Sequence, residues 1–106
     1  MEKLKNQIET LAKEELERAN KKFPLFHSDH EALGVIEEEF FEVGVEWNCV
    51  KNSFDGFSID VFTDNEIEKI IDIQNMKDYA INACAEMIQV IAMCDKFIDS
   101  KVDRNE

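Results

Sequence analysis

Glycine and proline are both absent from the second part of the chain, between Thr63 and Glu106. Because these two residues are the strongest helix breakers, their absence over such a length favours a long helix. Thr63 and Glu66 have the spacing of a capping box, which predicts that the helix begins there, with a break near Asn75 left open. Residues 76–98 are apolar on almost every side, which is typical of a central helix or of one in a subunit interface.

Two more helices are predicted in the first half of the chain. Residues 2–22 have apolar groups at helical spacing and are followed by the only proline, Pro24, which disfavours helical geometry just before it. Ser28 and Glu31 form another capping-box pattern, so a second helix is expected from Ser28 or Asp29 to about Trp47. Its apolar stripe consists of Leu33, Ile36, Phe40, Val43 and Trp47.

The other segments are assigned by exclusion and composition. Residues 48–62 contain Asp55-Gly56 and are predicted to form a loop or a small hairpin, and residues 99–106 a frayed tail. Gly34 and Gly44 lie inside the second helix, where glycine is unfavourable, so close packing of another backbone is expected, with an early end of the helix at Gly44 as the alternative. The sequence therefore predicts a single all-α domain over residues 1–106.

The net charge and the length of the chain limit the partners that the protein is expected to have. The 106 residues have a formal net charge of −12, which repels the phosphate backbone of nucleic acids. A helical domain this small gains much by self-association, so a homodimer or homotetramer is expected. No apolar run reaches membrane-spanning length, and a soluble, cytoplasmic protein with no membrane partner is expected. Cys84 and Cys94 lie in an apolar run and are expected in the core.

Acidic residues crowd one face of the second helix. At about 100° per residue, Glu39, Glu42 and Glu46 share a face, with Glu38 at its margin. No lysine or arginine occurs between Glu31 and Lys51 to relieve their repulsion. Two interpretations stay open: a solvated acidic surface, or carboxylates that share a cation.

Glu86 favours the second interpretation. It lies with Asn82 and Gln89 in a narrow polar strip of an otherwise apolar helix. A carboxylate in such surroundings takes up a proton or needs a cation or a hydrogen-bond partner. A shared Mg²⁺, which prefers oxygen ligands, satisfies both acidic faces; a hydrogen bond to Tyr79, Trp47 or a backbone amide is the alternative.

These acidic segments resemble a known family. Glu38-Glu39-Phe40-Phe41-Glu42 matches the EExxE motif of the all-α nucleoside triphosphate pyrophosphohydrolases, the MazG-like superfamily. The chain is most similar to small phage-type members, also at His30-Glu31 and at Glu86-Met87-Ile88-Gln89-Val90-Ile91-Ala92-Met93. The similar segments are roughly residues 23–47 and 79–98, about half of the chain.

The resemblance implies a helical bundle completed by self-association. It also implies hydrolysis of a nucleoside triphosphate to the monophosphate and pyrophosphate, with Mg²⁺, or Mn²⁺ in its place, as the cofactor. The implied metal ligands are Glu38, Glu39, Glu42 and Glu86, with Glu39 or Glu42 as the catalytic base. Gln89 stands where the superfamily usually has Asp, so Gln89 and Asn82 are expected as substitute or supporting ligands.

For the base and sugar of the nucleotide, the candidate binding residues are His27, His30 and Trp47. The missing acid at Gln89 keeps an alternative function open. In that alternative the domain has the same helical fold, lacks catalysis and acts as an interaction module.

Overall fold

Three helices make up the fold. The structure, a computed structural model, describes residues 1–104, and within this range it contains α1 (Glu2–Asn20), α2 (Asp29–Phe62) and α3 (Glu66–Arg104). No strand occurs in the described part, so the all-α prediction is confirmed. None of these helices combines the length and the apolar character that crossing a membrane requires.

The start of α2 is the predicted one. Ser28 Oγ accepts a hydrogen bond from the backbone N–H of Glu31 at 3.1 Å, which satisfies one of the free amides in the first turn. Helix α1 ends at Asn20, two residues before the predicted end, and Pro24 lies in the connection that follows. The local capping rules therefore place both boundaries to within two residues.

The predicted loop or hairpin over residues 48–62 is wrong, because α2 continues without interruption to Phe62. The apolar stripe of its first half extends through this segment at the same spacing of three and four. We call the whole stripe the α2 seam; its members are Leu33, Ile36, Phe40, Val43, Trp47, Val50, Phe54, Phe57 and Val61. Gly56 has no positive φ, so Asp55-Gly56 forms no turn. The apolar spacing outweighs the turn preference of that dipeptide.

A turn of three residues joins α2 to α3, and it corrects the predicted capping box. Thr63 is the first residue after α2, and its hydroxyl donates back to the carbonyl of Ile59 in that helix at 2.9 Å instead of capping α3. Asp64 adopts a left-handed conformation with φ 55°, and Asn65 N–H bonds to Asp60 O at 3.0 Å, as in a Schellman motif. Asn65 Oδ1 then caps α3 by accepting from Glu68 N–H at 3.2 Å. α3 is continuous through Asn75, so the break that the sequence leaves open there does not occur.

The helices contribute to two compact units. The terminal unit comprises residues 1–40 and the described chain from Glu86 onward. Its core is formed by Phe26, Ala32, Ala92 and Met93, with Leu16, Ala19, Val35, Ile36 and Phe97 packed around it. This core is small, and its side chains come from α1, the α1–α2 connection, α2 and α3.

The end of α3 is part of the terminal unit, so the predicted tail over residues 99–106 is wrong for residues 99–104. Ser100 is buried, accepts a hydrogen bond from Phe26 N–H at 2.9 Å and donates to Lys96 O at 2.7 Å. Lys101 forms an ion pair of 2.7 Å with Asp29. These contacts hold the last turns of α3 against the terminal unit. Asn105 and Glu106 lie outside the described residues.

The hairpin unit, Phe41–Ala85, consists of the second half of α2, the turn and the first half of α3. In this segment, which the structure describes in full, Asp60 is the only residue that is buried. Two helices alone do not enclose an apolar core, and the seam residues Trp47, Phe54 and Val61 stay 53%, 55% and 45% exposed. The hairpin unit therefore has an apolar surface without a core of its own.

Two expectations about small residues are also wrong. A methyl group placed on Gly34 or Gly44 meets no atom within 4 Å, so neither glycine is needed for close packing within the chain. The close approach is at Gly56 instead, where such a methyl group lies 2.9 Å from Asp72 Oδ2. Cys84 and Cys94 are exposed, because a helix that is apolar all round does not reveal which side is covered.

Candidate metal centre

Three predicted carboxylates lie together. Glu39, Glu42 and Glu86 each have a carboxylate oxygen, and these oxygens all lie within 4.8 Å of one another. Glu39 and Glu42 come from successive turns of α2, and Glu86 comes from α3. Glu39 and Glu86 are half-buried, whereas Glu42 is exposed. This group is the candidate metal centre.

The ligand chemistry of the three residues suits a hard divalent cation. Mg²⁺ binds oxygen ligands at about 2.1 Å in octahedral geometry, so the oxygens bound to one ion lie roughly 3 to 4 Å apart. The spacing in the group is at most slightly wider than this range. Glu42 is open to solvent, which leaves room for the waters that Mg²⁺ usually keeps.

The other predicted acids of α2 have different positions. Glu38 is exposed and lies outside the three-carboxylate group. Glu46 accepts a hydrogen bond from Asn82 Nδ2, with 3.4 Å between the heavy atoms. Asn82 therefore binds a carboxylate one turn away from Glu42, and its predicted role as a supporting ligand stays a prediction.

Gln89 has a partner that the sequence did not suggest. Its Nε2 donates a hydrogen bond of 2.6 Å to Glu15 Oε2, and Glu15 also forms an ion pair with Arg18. Glu15 belongs to α1, a helix of alternating charges in which nothing distinguishes it. The Gln89 side chain thus connects α3 to α1.

The predicted substrate residues are not found in one place. His27 lines a pocket of the terminal unit together with Phe26, and His30 is exposed in the first turn of α2. Trp47 lines a groove of the hairpin unit with Phe54 and Met76, and Lys51 lies 5.9 Å from its ring. Their role in substrate binding stays a prediction.

A second pair of acids, missed by the sequence reasoning, lies in the hairpin unit. A hydrogen bond to Asp72, burial, and the negative charges of Asp72 and Glu68 raise the pKa of Asp60 to about 6, while Lys69 opposes the shift. Asp60 follows Phe57 by three residues, so it takes an inward position once α2 is continuous. Predicting this pair required the correct length of α2.

Comparisons with known proteins give no relative: no family model, no curated protein and no solved structure matches the chain. Fold and site thus define a small all-α protein of three helices with a cluster of three carboxylates. It carries no family assignment, and its function has to be argued from the site.

Proposed function

We propose that the protein is a Mg²⁺-dependent nucleoside triphosphate pyrophosphohydrolase, which releases pyrophosphate and a nucleoside monophosphate. The observation that carries the proposal is the proximity of Glu39, Glu42 and Glu86. Two of these acids match the EExxE motif, and the third begins the second segment that resembles the MazG-like superfamily. The resemblance implies four ligands, and three of them belong to the group of close carboxylates.

In this proposal each acid has a defined task. Glu39 and Glu86 hold the ion from positions that are half-shielded from water, and Glu42 binds it from the solvent side. The ion neutralises phosphate oxygens and lowers the pKa of a bound water. One carboxylate of the group accepts the proton of the attacking water, and the proposal assigns this task to the group and not to a single member. Glu38 stays a predicted ligand that the three-carboxylate group does not include.

Pyrophosphate release from normal and modified nucleoside triphosphates, with Mg²⁺ or Mn²⁺, tests the activity. Glu86→Gln keeps the size of the side chain and removes one negative ligand, so turnover is expected to fall by at least about a hundredfold. Glu37→Gln is the matched control, because Glu37 is an exposed acid of α2, the helix of Glu39 and Glu42, and lies outside the group. Orthophosphate as the product, or equal turnover in both variants, contradicts the proposal.

Metal binding is measured separately from catalysis. A cation that binds only the folded protein stabilises it by about 1.4 kcal/mol at ten times its dissociation constant, which raises the melting temperature. Glu86→Gln is expected to lose most of this rise, and Glu37→Gln is expected to keep it. If Glu86→Gln responds to Mg²⁺ as the unmodified protein does, the three carboxylates are not a metal site.

The alternative function is a catalytically silent interaction module, and the hydrogen bond from Gln89 to Glu15 is the observation in its favour. In that case Gln89, which stands where the MazG-like superfamily usually has Asp, stabilises the fold and does not bind metal. Gln89→Asp separates the two proposals. It raises Mg²⁺ affinity if position 89 faces the ion, and it only lowers stability if the bond to Glu15 is its sole role.

We also propose that the hairpin unit pairs with a second copy of the chain. Twelve large apolar side chains of this unit are exposed, and at roughly 100 Å² for a half-exposed large side chain they offer on the order of 1,000 Å². A stable interface takes about 800 Å² from each partner. The α2 seam fits a helical partner with the same spacing, and a second copy supplies one.

Sedimentation of paired variants tests this association. Phe54→Glu places a charge on the α2 seam, whereas Ile59→Glu places the same charge on an equally exposed residue of α2 outside the seam. We expect a dimer or larger assembly for the unmodified protein and for Ile59→Glu, and a monomer for Phe54→Glu. A monomeric unmodified protein at micromolar concentration, or a Phe54→Glu variant that still associates, contradicts the proposal.

A further inference from the structure

The terminal unit contains a pocket whose charge is opposite to that of the whole chain. Among its lining residues are the cations Arg18, Lys22 and Lys96 and a single carboxylate, Glu31. Arg18 also pairs with Glu15 outside the lining, so Lys22 and Lys96 are the lining cations that no ion pair of the described residues includes, in a chain of net charge −12. A local excess of cations attracts anions to one place on a surface that otherwise repels them.

Lys96 is the most informative of these cations. Only 6% of the residue is exposed, and its ammonium group lies 4.8 Å from the centre of the Phe26 ring. The ion pairs of the described residues do not include Lys96. Most of the side chain is therefore covered while its charge has no carboxylate partner in the described part of the chain, and an anion that enters the pocket supplies one.

The rest of the lining suits an aromatic ring. Phe23 lines the pocket and is 63% exposed to solvent. Phe26, Val35 and Met93 add apolar surface to the lining. Phe26 is held in place by the bond from its N–H to Ser100 and by the contact of its ring with Lys96. The volume is about 650 Å³, within the usual range for pockets that bind small molecules.

We infer that this pocket binds the phosphate-bearing part of a nucleotide, with Arg18, Lys22 and Lys96 around the phosphate and the phenyl rings against the base. The inference rests on the proposed function only for the choice of a nucleotide among phosphate-bearing aromatic ligands. Val35 precedes Glu39 by one turn of α2, and Met93 follows Glu86 by two turns of α3. The helices that line the pocket therefore also carry Glu39 and Glu86.

Equilibrium binding without divalent metal tests the pocket apart from the metal centre. Isothermal titration calorimetry in EDTA is carried out with the four ribonucleoside monophosphates, the matching nucleosides and inorganic phosphate. At least one monophosphate is expected to bind about tenfold or more tightly than both its nucleoside and inorganic phosphate. If no monophosphate binds, or if the nucleoside or inorganic phosphate binds as tightly, the inference is overturned.

Lys96→Met keeps the length and the apolar stem of the side chain and removes its charge. We expect it to weaken monophosphate binding by about tenfold or more. Lys101→Met is the matched control, because Lys101 also lies on α3 beside an aromatic ring, Phe97, but does not line the pocket. If Lys96→Met fails to fold, the exposed Lys22→Gln replaces it with the same expected loss.

The results separate this inference from the proposed function. Binding in EDTA that depends on Lys96, without pyrophosphate release, supports the pocket and contradicts the hydrolase. Pyrophosphate release with a KM that is unchanged in Lys96→Met, together with unchanged binding in EDTA, overturns the pocket and leaves the hydrolase standing.

Discussion

Alanine substitutions at the three glycines of α2 give a sharp test of the close contact between Gly56 and Asp72. All three glycines lie inside the helix, where alanine is favoured over glycine by about 1 kcal/mol. Gly34→Ala and Gly44→Ala meet no atom within 4 Å and are expected to gain this amount. For a chain of this size, such a gain raises the melting temperature by roughly 4–8 °C.

Gly56→Ala gains the same helix preference but creates a collision. Its methyl group lies 2.9 Å from Asp72 Oδ2, 3.2 Å from Cγ and 3.3 Å from Oδ1, so the whole carboxyl group has to move. Overpacking of this kind costs about 1–3 kcal/mol, which cancels or exceeds the gain. We therefore expect Gly56→Ala to be at least about 1 kcal/mol less stable than Gly34→Ala.

Urea denaturation of the three variants at one protein concentration measures the difference. A second signature follows from the position of Asp72 beside Asp60: displacing Asp72 weakens its effect on the pKa of Asp60, so Gly56→Ala also has a weaker pH dependence of stability. Equal stabilisation by all three substitutions refutes the packing of Asp72 against Gly56.

Two more variants probe the interior. The raised pKa of Asp60 means that its contribution to stability is complete below its ordinary value of 3.8 and is lost as the pH rises through about 6. Asp60→Asn is expected to remove this decline, as measured by melting temperatures between pH 4 and 8; a decline of unchanged size counts against it. Ser100→Ala removes the hydroxyl that accepts from buried Phe26 N–H, at a cost of about 1–3 kcal/mol, and urea unfolding at the level of the unmodified protein contradicts that role.

Capping and apolar spacing predicted much of the fold, and their limits are visible in α2. Ser28 marks its start because a hydroxyl at that position accepts from a free amide, which is a local interaction. Asp55-Gly56 is typical of a turn and predicts an early end, whereas the apolar spacing continues through Val50, Phe54, Phe57 and Val61. A pattern that extends over several turns is stronger evidence than a dipeptide whose conformation depends on its surroundings.

The candidate site was predictable to the extent that it depends on spacing within one helix. Glu39 and Glu42 share a face of α2 by helix geometry, and Glu86 was selected because it is an acid in an apolar helix. The cations of the pocket were not predictable in the same way. Arg18 and Lys22 are close along the chain, but Lys96 is distant from both, and only the packing of α3 against the α1 end of the terminal unit brings it to them.

The short turn around Asp64 has a consequence for the order of folding. Asp60 and Asp72 are only twelve residues apart along the chain, whereas Asn82 and Glu46 are separated by 36 residues. Contacts near the turn close small loops and cost little chain entropy, and each later contact extends a structure that is already formed. The hairpin unit is therefore expected to form by zipping from the turn, so the acid pair lies where the two helices first meet.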